Sequence, residues 1–240
     1  MIENYLFDLY GTLVDIRTDE SMPSLWRRMA LVLSLQGAAY DPEELQIAYH
    51  TAVQTEIDRC WTKTPSVPRE HIEPDILRAF ASLYVQKGVV AGHDRLIDAA
   101  IFFRAASMLH LRLYPRAQQV LRALRQRGRG VYLLSNAQAA FTEPELQSLG
   151  LTPLFDGIVL SSDAGVKKPD EAIFHHIFAK YHLRPDTCLM VGNDEEADML
   201  GASRVGMAGV YIHTKQSPER RRPLPDGCRE IVCLSDLLEE

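Results

Sequence analysis

An α/β fold built on a doubly wound parallel sheet, with an α-helical segment inserted near its start, is the architecture this 240-residue sequence predicts. Three observations predict it. Short apolar runs alternate with stretches of helical periodicity, one long segment shows helical periodicity alone, and the residues that close the apolar runs are polar. Tyr5-Leu6-Phe7-Asp8-Leu9 is such a run, broken by Gly11, which is the pattern of a buried strand whose C-terminal end delivers Asp8 to a loop. Further candidate core strands are 131–134, 158–160, 189–191 and 210–212, with a short last strand near Ile231-Val232. Helical stretches separate them at 117–127, 144–149, 171–181 and 195–205. Strands alternating with helices imply parallel pairing through crossover connections.

From about residue 20 to 110 no convincing strand interrupts the helical pattern, and helices are expected at 24–36, 42–61, 71–87 and 93–109. Gly37, Pro65, Pro68, Gly88 and Gly92 punctuate them. The expected organisation is therefore an α/β core of residues 1–15 and 113–240 and a helical insertion of residues 16–112. Stretches 15–18 and 111–115 would serve as hinges if the insertion opens and closes over a cleft. Met22, Trp26, Met29, Phe102 and Phe103 lie at helical spacing, the ordinary signature of a core face rather than a pocket. The proline-rich segment 217–227 reads most simply as a solvated loop, and an anion-binding role for Arg220, Arg221 and Arg222 is the weaker alternative.

Composition narrows the function. Hydrophobic residues make up 46% of the chain and charged residues 24%, which is ordinary for a globular protein. A net charge of -6 removes the attraction that non-specific nucleic-acid binding requires. Cys60, Cys188, Cys228 and Cys233 are scattered without a C-x-x-C spacing, so they read as reduced thiols and not as a zinc site or a disulfide framework. No apolar run reaches the length of a membrane span and no leader pattern opens the chain, so the expected location is the cytoplasm.

Doubly wound sheets hold ligands beyond the carboxyl ends of their strands. Here those ends carry Asp8, Ser135, Asp163 or Lys168, and Asn193-Asp194. A carboxylate can attack phosphorus or carbon and split one hard displacement into two easier ones, which suits Asp8 as a nucleophile. Ser135 offers a hydroxyl and Lys168 a cation to neutralise developing charge. Asp194 and Asp198 lie four apart, so a helix starting there presents both on one side. Asp194-Glu195-Glu196 also suits plain helix capping by acidic residues.

Phe7-Asp8-Leu9-Tyr10-Gly11-Thr12-Leu13-Val14-Asp15 resembles the first motif of the haloacid dehalogenase (HAD) superfamily. Leu133-Leu134-Ser135-Asn136, Gly165-Val166-Lys167-Lys168-Pro169-Asp170 and Val191-Gly192-Asn193-Asp194 through Asp198 resemble its remaining motifs, in order. The helical insertion is similar in position and size to the family's C1 cap. The resemblance implies that Asp8 is the nucleophile, that Gly11 permits the turn exposing it, and that Thr12 and Asn136 contact substrate. It also implies that Lys168 neutralises Asp8 while Lys167 faces solvent, and that Mg²⁺ is held by Asp8, Asp194 and the backbone carbonyl of Tyr10, with Asp198 in support.

Two features pull apart. HAD phosphatases usually carry an aspartate where this chain has Tyr10, and a phenol is a poor acid or base near neutrality. Either another residue supplies the proton or the leaving group needs none. Tyrosine at this position is similar to the L-2-haloacid dehalogenases, and Leu25-Trp26-Arg27 resembles a cap segment in which their arginine binds the substrate carboxylate. The carboxylates around Asp194 instead favour a bound cation. The expected activity is thus a Mg²⁺-dependent phosphohydrolase of a small phosphorylated metabolite. A metal-independent 2-haloacid dehalogenase is the first alternative, and a non-catalytic ligand-binding protein the second.

Overall fold

The structure is a computed structural model describing residues 1–239. Strands β1 (Asn4–Phe7) and β2 (Val14–Thr18) precede helices α1 (Pro23–Leu35), α2 (Pro42–Lys63), α3 (Ile76–Gln86) and α4 (His93–Ser107). Then follow β3 (Met108–Leu113), α5 (Ala117–Gln126), β4 (Gly130–Ser135), α6 (Ala139–Ser148) and β5 (Gly157–Leu160). The chain continues through α7 (Ser161–Ala164), α8 (Glu171–Tyr181), β6 (Cys188–Gly192), a π-wound turn over Glu195–Leu200, α9 (Gly201–Arg204), β7 (Ala208–Ile212) and β8 (Cys228–Ile231). Six strands form one sheet in the order β5-β4-β1-β6-β7-β8. All its pairings are parallel, as the alternation of strands and helices predicts.

Strand β1 is central, so Tyr5, Leu6 and Phe7 are buried on both faces of the sheet. Tyr5 and Phe7 pack with α5 residues such as Val120 and Leu124, while Leu6 packs with α8 residues Ile173, Phe174 and Ile177. Helices α1–α4 enclose a separate cluster around Trp26, Tyr49, Phe80 and Phe103, into which Ala140 and Phe141 of α6 also insert. Trp26, Met29 and Phe103 are therefore core residues, as their spacing indicates. No helix among the described residues is long and apolar enough to cross a membrane.

Four expectations needed correction. The stretches read as hinges are hydrogen-bonded to each other as the antiparallel ribbon β2–β3, the two chain crossings between sheet and helical insertion. Helix α4 ends at Ser107, and Met108 and Leu109, expected as its last residues, begin β3 instead. Helix α3 starts at Ile76 and not at His71, because Pro74 disfavours helix before it and the Asp75 side chain accepts from the Leu77 amide at 3.0 Å. Residues ahead of it form a short antiparallel bridge, Ile72 to Val166, with the loop after β5. Helix α6 begins five residues earlier than Pro144 suggests, the proline lying inside it. The segment after Asp194 opens in π geometry before its α-helical end.

Candidate active site

Asp8 is the first residue beyond β1, and its amide still donates to the Val191 carbonyl of β6 at 2.9 Å. The neighbouring strand β4 ends at Ser135, whose hydroxyl donates to Asp8 Oδ1 at 3.1 Å. Lys168 Nζ donates to the same oxygen at 2.8 Å, to Asp198 Oδ1 at 2.6 Å and to the Leu134 carbonyl at 2.8 Å. All three ammonium protons thus have acceptors. A buried cation so held is costly to form but strongly ordered. Burial alone would lower the Lys168 pKa, but Asp198 and Asp8 together raise it. Asp198 is pushed up to about 7 by burial, opposed by the Lys168 ammonium.

Asp8 Oδ2 is the less engaged oxygen, with one long contact of 3.4 Å from the Thr12 hydroxyl, which also lies 3.2 Å from Asn193 Oδ1. Gly11 makes this turn with φ +84°. A Cβ there would lie 2.3 Å from Asn193 Nδ2, so both backbone hand and space demand glycine. Asn136 holds the lysine loop: its Oδ1 accepts from the Lys168 amide at 2.7 Å and its Nδ2 donates to the Lys168 carbonyl at 2.9 Å. That is a positioning role for a residue expected to touch substrate. Asp194 caps the turn after β6, Oδ1 accepting from the Glu196 and Ala197 amides at 2.9 Å, while Asp198 Oδ2 accepts from its main-chain amide at 3.0 Å.

Asp8, Ser135, Lys168, Asn193, Asp194 and Asp198 surround a cavity of about 170 Å³. No group of three or more His, Cys, Asp or Glu side chains suited to a metal ion occurs among the described residues. Among the side chains that line this cavity, Asp8 and Asp194 offer carboxylate oxygens. Asp194 Oδ2 has no protein donor among the described residues. Hard oxygens so few in number fit Mg²⁺, which keeps several waters.

Tyr10 also lines the Asp8 cavity, but its hydroxyl is bonded to α6. Its hydroxyl donates to Glu145 Oε2 at 2.5 Å and lies 2.9 Å from the Thr142 hydroxyl, while Arg104 of α4 donates to Glu145 Oε1 at 2.6 Å. Burial, then the Glu145 carboxylate, push the phenol further above its ordinary range. Tyr10 is therefore tied to α6, and through Glu145 to Arg104 of α4. Tyr10→Phe should cost about 1–3 kcal/mol in urea unfolding, since a buried carboxylate loses a donor. The shape of the pH–kcat profile should not change, because no titrating group of the reaction is removed.

Arg27 is not brought to the site. Leu25, Trp26 and Met29 occupy the buried face of α1, and the helical period leaves Arg27 exposed on the other. Lys167, expected to face solvent, is half-buried and lines the larger space beyond Lys168. Gln216 and Pro218 also line the Asp8 cavity, although their segment read as surface loop. The loop reaches the site because Thr214 Oγ1 donates to the Gly11 carbonyl at 2.8 Å and Gln216 Nε2 to Asp15 Oδ1 at 2.8 Å. Nothing in the local sequence signals those long-range bonds.

A family model described as haloacid dehalogenase-like hydrolase matches residues 2–206. The chain belongs to this family. This HAD-like chain is 28% identical over its whole length to a glyceraldehyde 3-phosphate phosphatase of Pyrococcus abyssi, covering 93% of that protein. It is 30% identical to a phosphoserine phosphatase of Thermus thermophilus over 48% of this chain and 46% of that one. It spans about half the length of that relative and of several other curated ones. A 2-haloacid dehalogenase of Pseudomonas syringae pv. Tomato superposes with a TM-score of 0.67 at 20% identity, over 100% of this chain and 97% of that one, a likeness of fold alone. The HAD-like fold thus occurs with either chemistry.

Proposed function

We propose that this HAD-like hydrolase is a phosphohydrolase of a small phosphorylated metabolite, acting through an aspartyl-phosphate on Asp8. The observation that carries the reading is the asymmetry of Asp8. Lys168 and Ser135 fix Oδ1, leaving Oδ2 as the oxygen available to attack phosphorus. Attack forms the Oδ2–P bond and breaks the bond from phosphorus to the leaving oxygen, which departs with the electron pair. Water then attacks phosphorus, releases phosphate and restores the carboxylate. Ser135 and Thr12 offer hydroxyls to the phosphoryl oxygens, and the Lys168 ammonium neutralises charge that develops at Asp8. Mg²⁺ held by Asp8, Asp194 and the Tyr10 carbonyl would neutralise phosphoryl charge. Glyceraldehyde 3-phosphate phosphatase and phosphoserine phosphatase among the relatives support a phosphorylated substrate.

With the Tyr10 hydroxyl committed to Glu145, no proton donor stands two residues beyond the nucleophile. The substrates best served are those whose leaving group departs unprotonated, such as acyl phosphates. Hydrolysis of acetyl phosphate and 4-nitrophenyl phosphate, each with Mg²⁺ and with excess chelator, tests the proposal. Turnover should require the metal and should fall sharply for glycerol phosphate. No phosphate release under any condition, with chloride release from 2-chloropropionate in chelator, would replace the reading by dehalogenation.

A further inference from the structure

Beyond the cavity at Asp8 lies a space of about 650 Å³ that shares Asn136, Lys168, Asp194, Ala197 and Pro218 with it. Five segments enclose it: the stretch before α3 with His71 and Glu73, the end of β4 with Asn136, the loop after β5 with Lys167, the turn after β6 with Glu195, and the loop after β7 with Arg221 and Arg222. It is where the non-reacting part of a substrate bound at Asp8 would extend, and its charges decide what that part is.

Glu195 is the anchor of the loop after β7. It is 8% exposed, and its Oε2 accepts from the main-chain amides of Arg221 at 2.9 Å and Arg222 at 3.3 Å. Its Oε1 lies 3.2 Å from Arg222 Nε. Oε2 is thereby engaged by the loop backbone, while Oε1 is paired with Arg222 in charge but accepts no hydrogen bond among the described residues. Arg221 has its main chain fixed by this buried carboxylate, yet its guanidinium has no partner among the described residues. Lys167 forms no ion pair of bonding length among them, and its charge acts on Glu73, which Ser161 and Gln138 already engage. His71 faces Asp170 at 3.4 Å. Glu70, Glu196 and Glu219 also line the space and are exposed, as Arg221 is, and Glu196, like Arg221, has its amide held by a carboxylate, that of Asp194 at 2.9 Å.

We infer that Arg221 and Lys167 form a subsite for a second anionic group, carboxylate or phosphate, on the substrate whose phosphoryl group reacts at Asp8. The inference rests on the phosphohydrolase reading and narrows its substrates to doubly anionic ones. Guanidinium is suited to bidentate recognition of either anion. The loop after β7 is then a specificity element.

Binding and turnover test it separately. Calorimetry with Mg²⁺ would compare 3-phosphonopropionate, propylphosphonate and 2-aminoethylphosphonate. Turnover would compare 4-nitrophenyl phosphate with 3-carboxy-4-nitrophenyl phosphate. The carboxylated member of each set should be preferred about tenfold, the gain of one charge-assisted contact pair. Arg221→Ala, and more so Arg221→Ala with Lys167→Ala, should erase that preference, and Arg221→Lys should restore part of it. Arg220→Ala should keep it, because Arg220 pairs with Glu230 at 2.9 Å outside the space. Turnover or binding without preference for the second anion, or preference for the amine, overturns the subsite and leaves the phosphohydrolase standing. Silence of every phosphonate and ester overturns both.

Discussion

Asp8→Asn should lower kcat for phosphate release by roughly 10⁴- to 10⁶-fold, the scale seen when a covalent nucleophile is removed. The protein should still fold. Lys168 keeps Asp198 at 2.6 Å and the Leu134 carbonyl at 2.8 Å, so its ammonium is not stranded, and the amide at position 8 can still accept from Ser135. Unfolding in urea should therefore show a change far smaller than the change in rate. Phosphate trapped on the acid-quenched wild-type protein and missing from the variant would locate the intermediate at Asp8. Activity surviving in Asp8→Asn would end the covalent mechanism.

Lys168→Met should have the largest effect on stability. The Lys168 and Asp198 side chains are each 1% exposed and that of Asp8 10%, so the substitution leaves two carboxylates facing each other with no counter-charge. Removing one partner of a buried ion pair costs about 3–5 kcal/mol. For a chain of this size each kcal/mol lowers Tm by about 2–4 °C, so a fall of around 10 °C is expected. The loss should depend on pH. Asp198 is pushed from 3.8 to about 7 even with Lys168 beside it, and without the lysine it moves higher still. A carboxyl whose folded pKa exceeds its unfolded one binds its proton more tightly when folded. The deficit should thus be small near pH 4 and deepen as pH rises through 7. Adding Asp198→Asn should recover part of the stability and none of the turnover. A Tm unchanged at pH 8 would mean that the carboxylates were never charged in the folded protein.

Much of this site was legible because it sits on elements that local pattern specifies. A central strand buried on both faces must be apolar, so the charged residue that ends Tyr5-Leu6-Phe7 stands out, as does Ser135 at the end of β4. The Gly11 turn is legible for the same kind of reason, since few residues tolerate its backbone. What local pattern does not encode is which distant side chain completes a bond. The Tyr10 side chain is explained by Glu145 and Thr142, more than 130 positions away, and the loop after β7 by Glu195 and Gly11. Arg27 shows the opposite limit. A short likeness in sequence suggested a ligand, and the face of the helix on which it falls points it into water.

The bridge between Ile72 and Val166 ties access to chemistry. Glu73 donates its amide to the Gly165 carbonyl at 3.0 Å, and Lys167 donates its own to the His71 carbonyl at 2.9 Å. The roof over the cavity is therefore fastened to the backbone that leads into the ammonium beside the nucleophile. Displacing the stretch before α3 would therefore pull on the loop that carries Lys168.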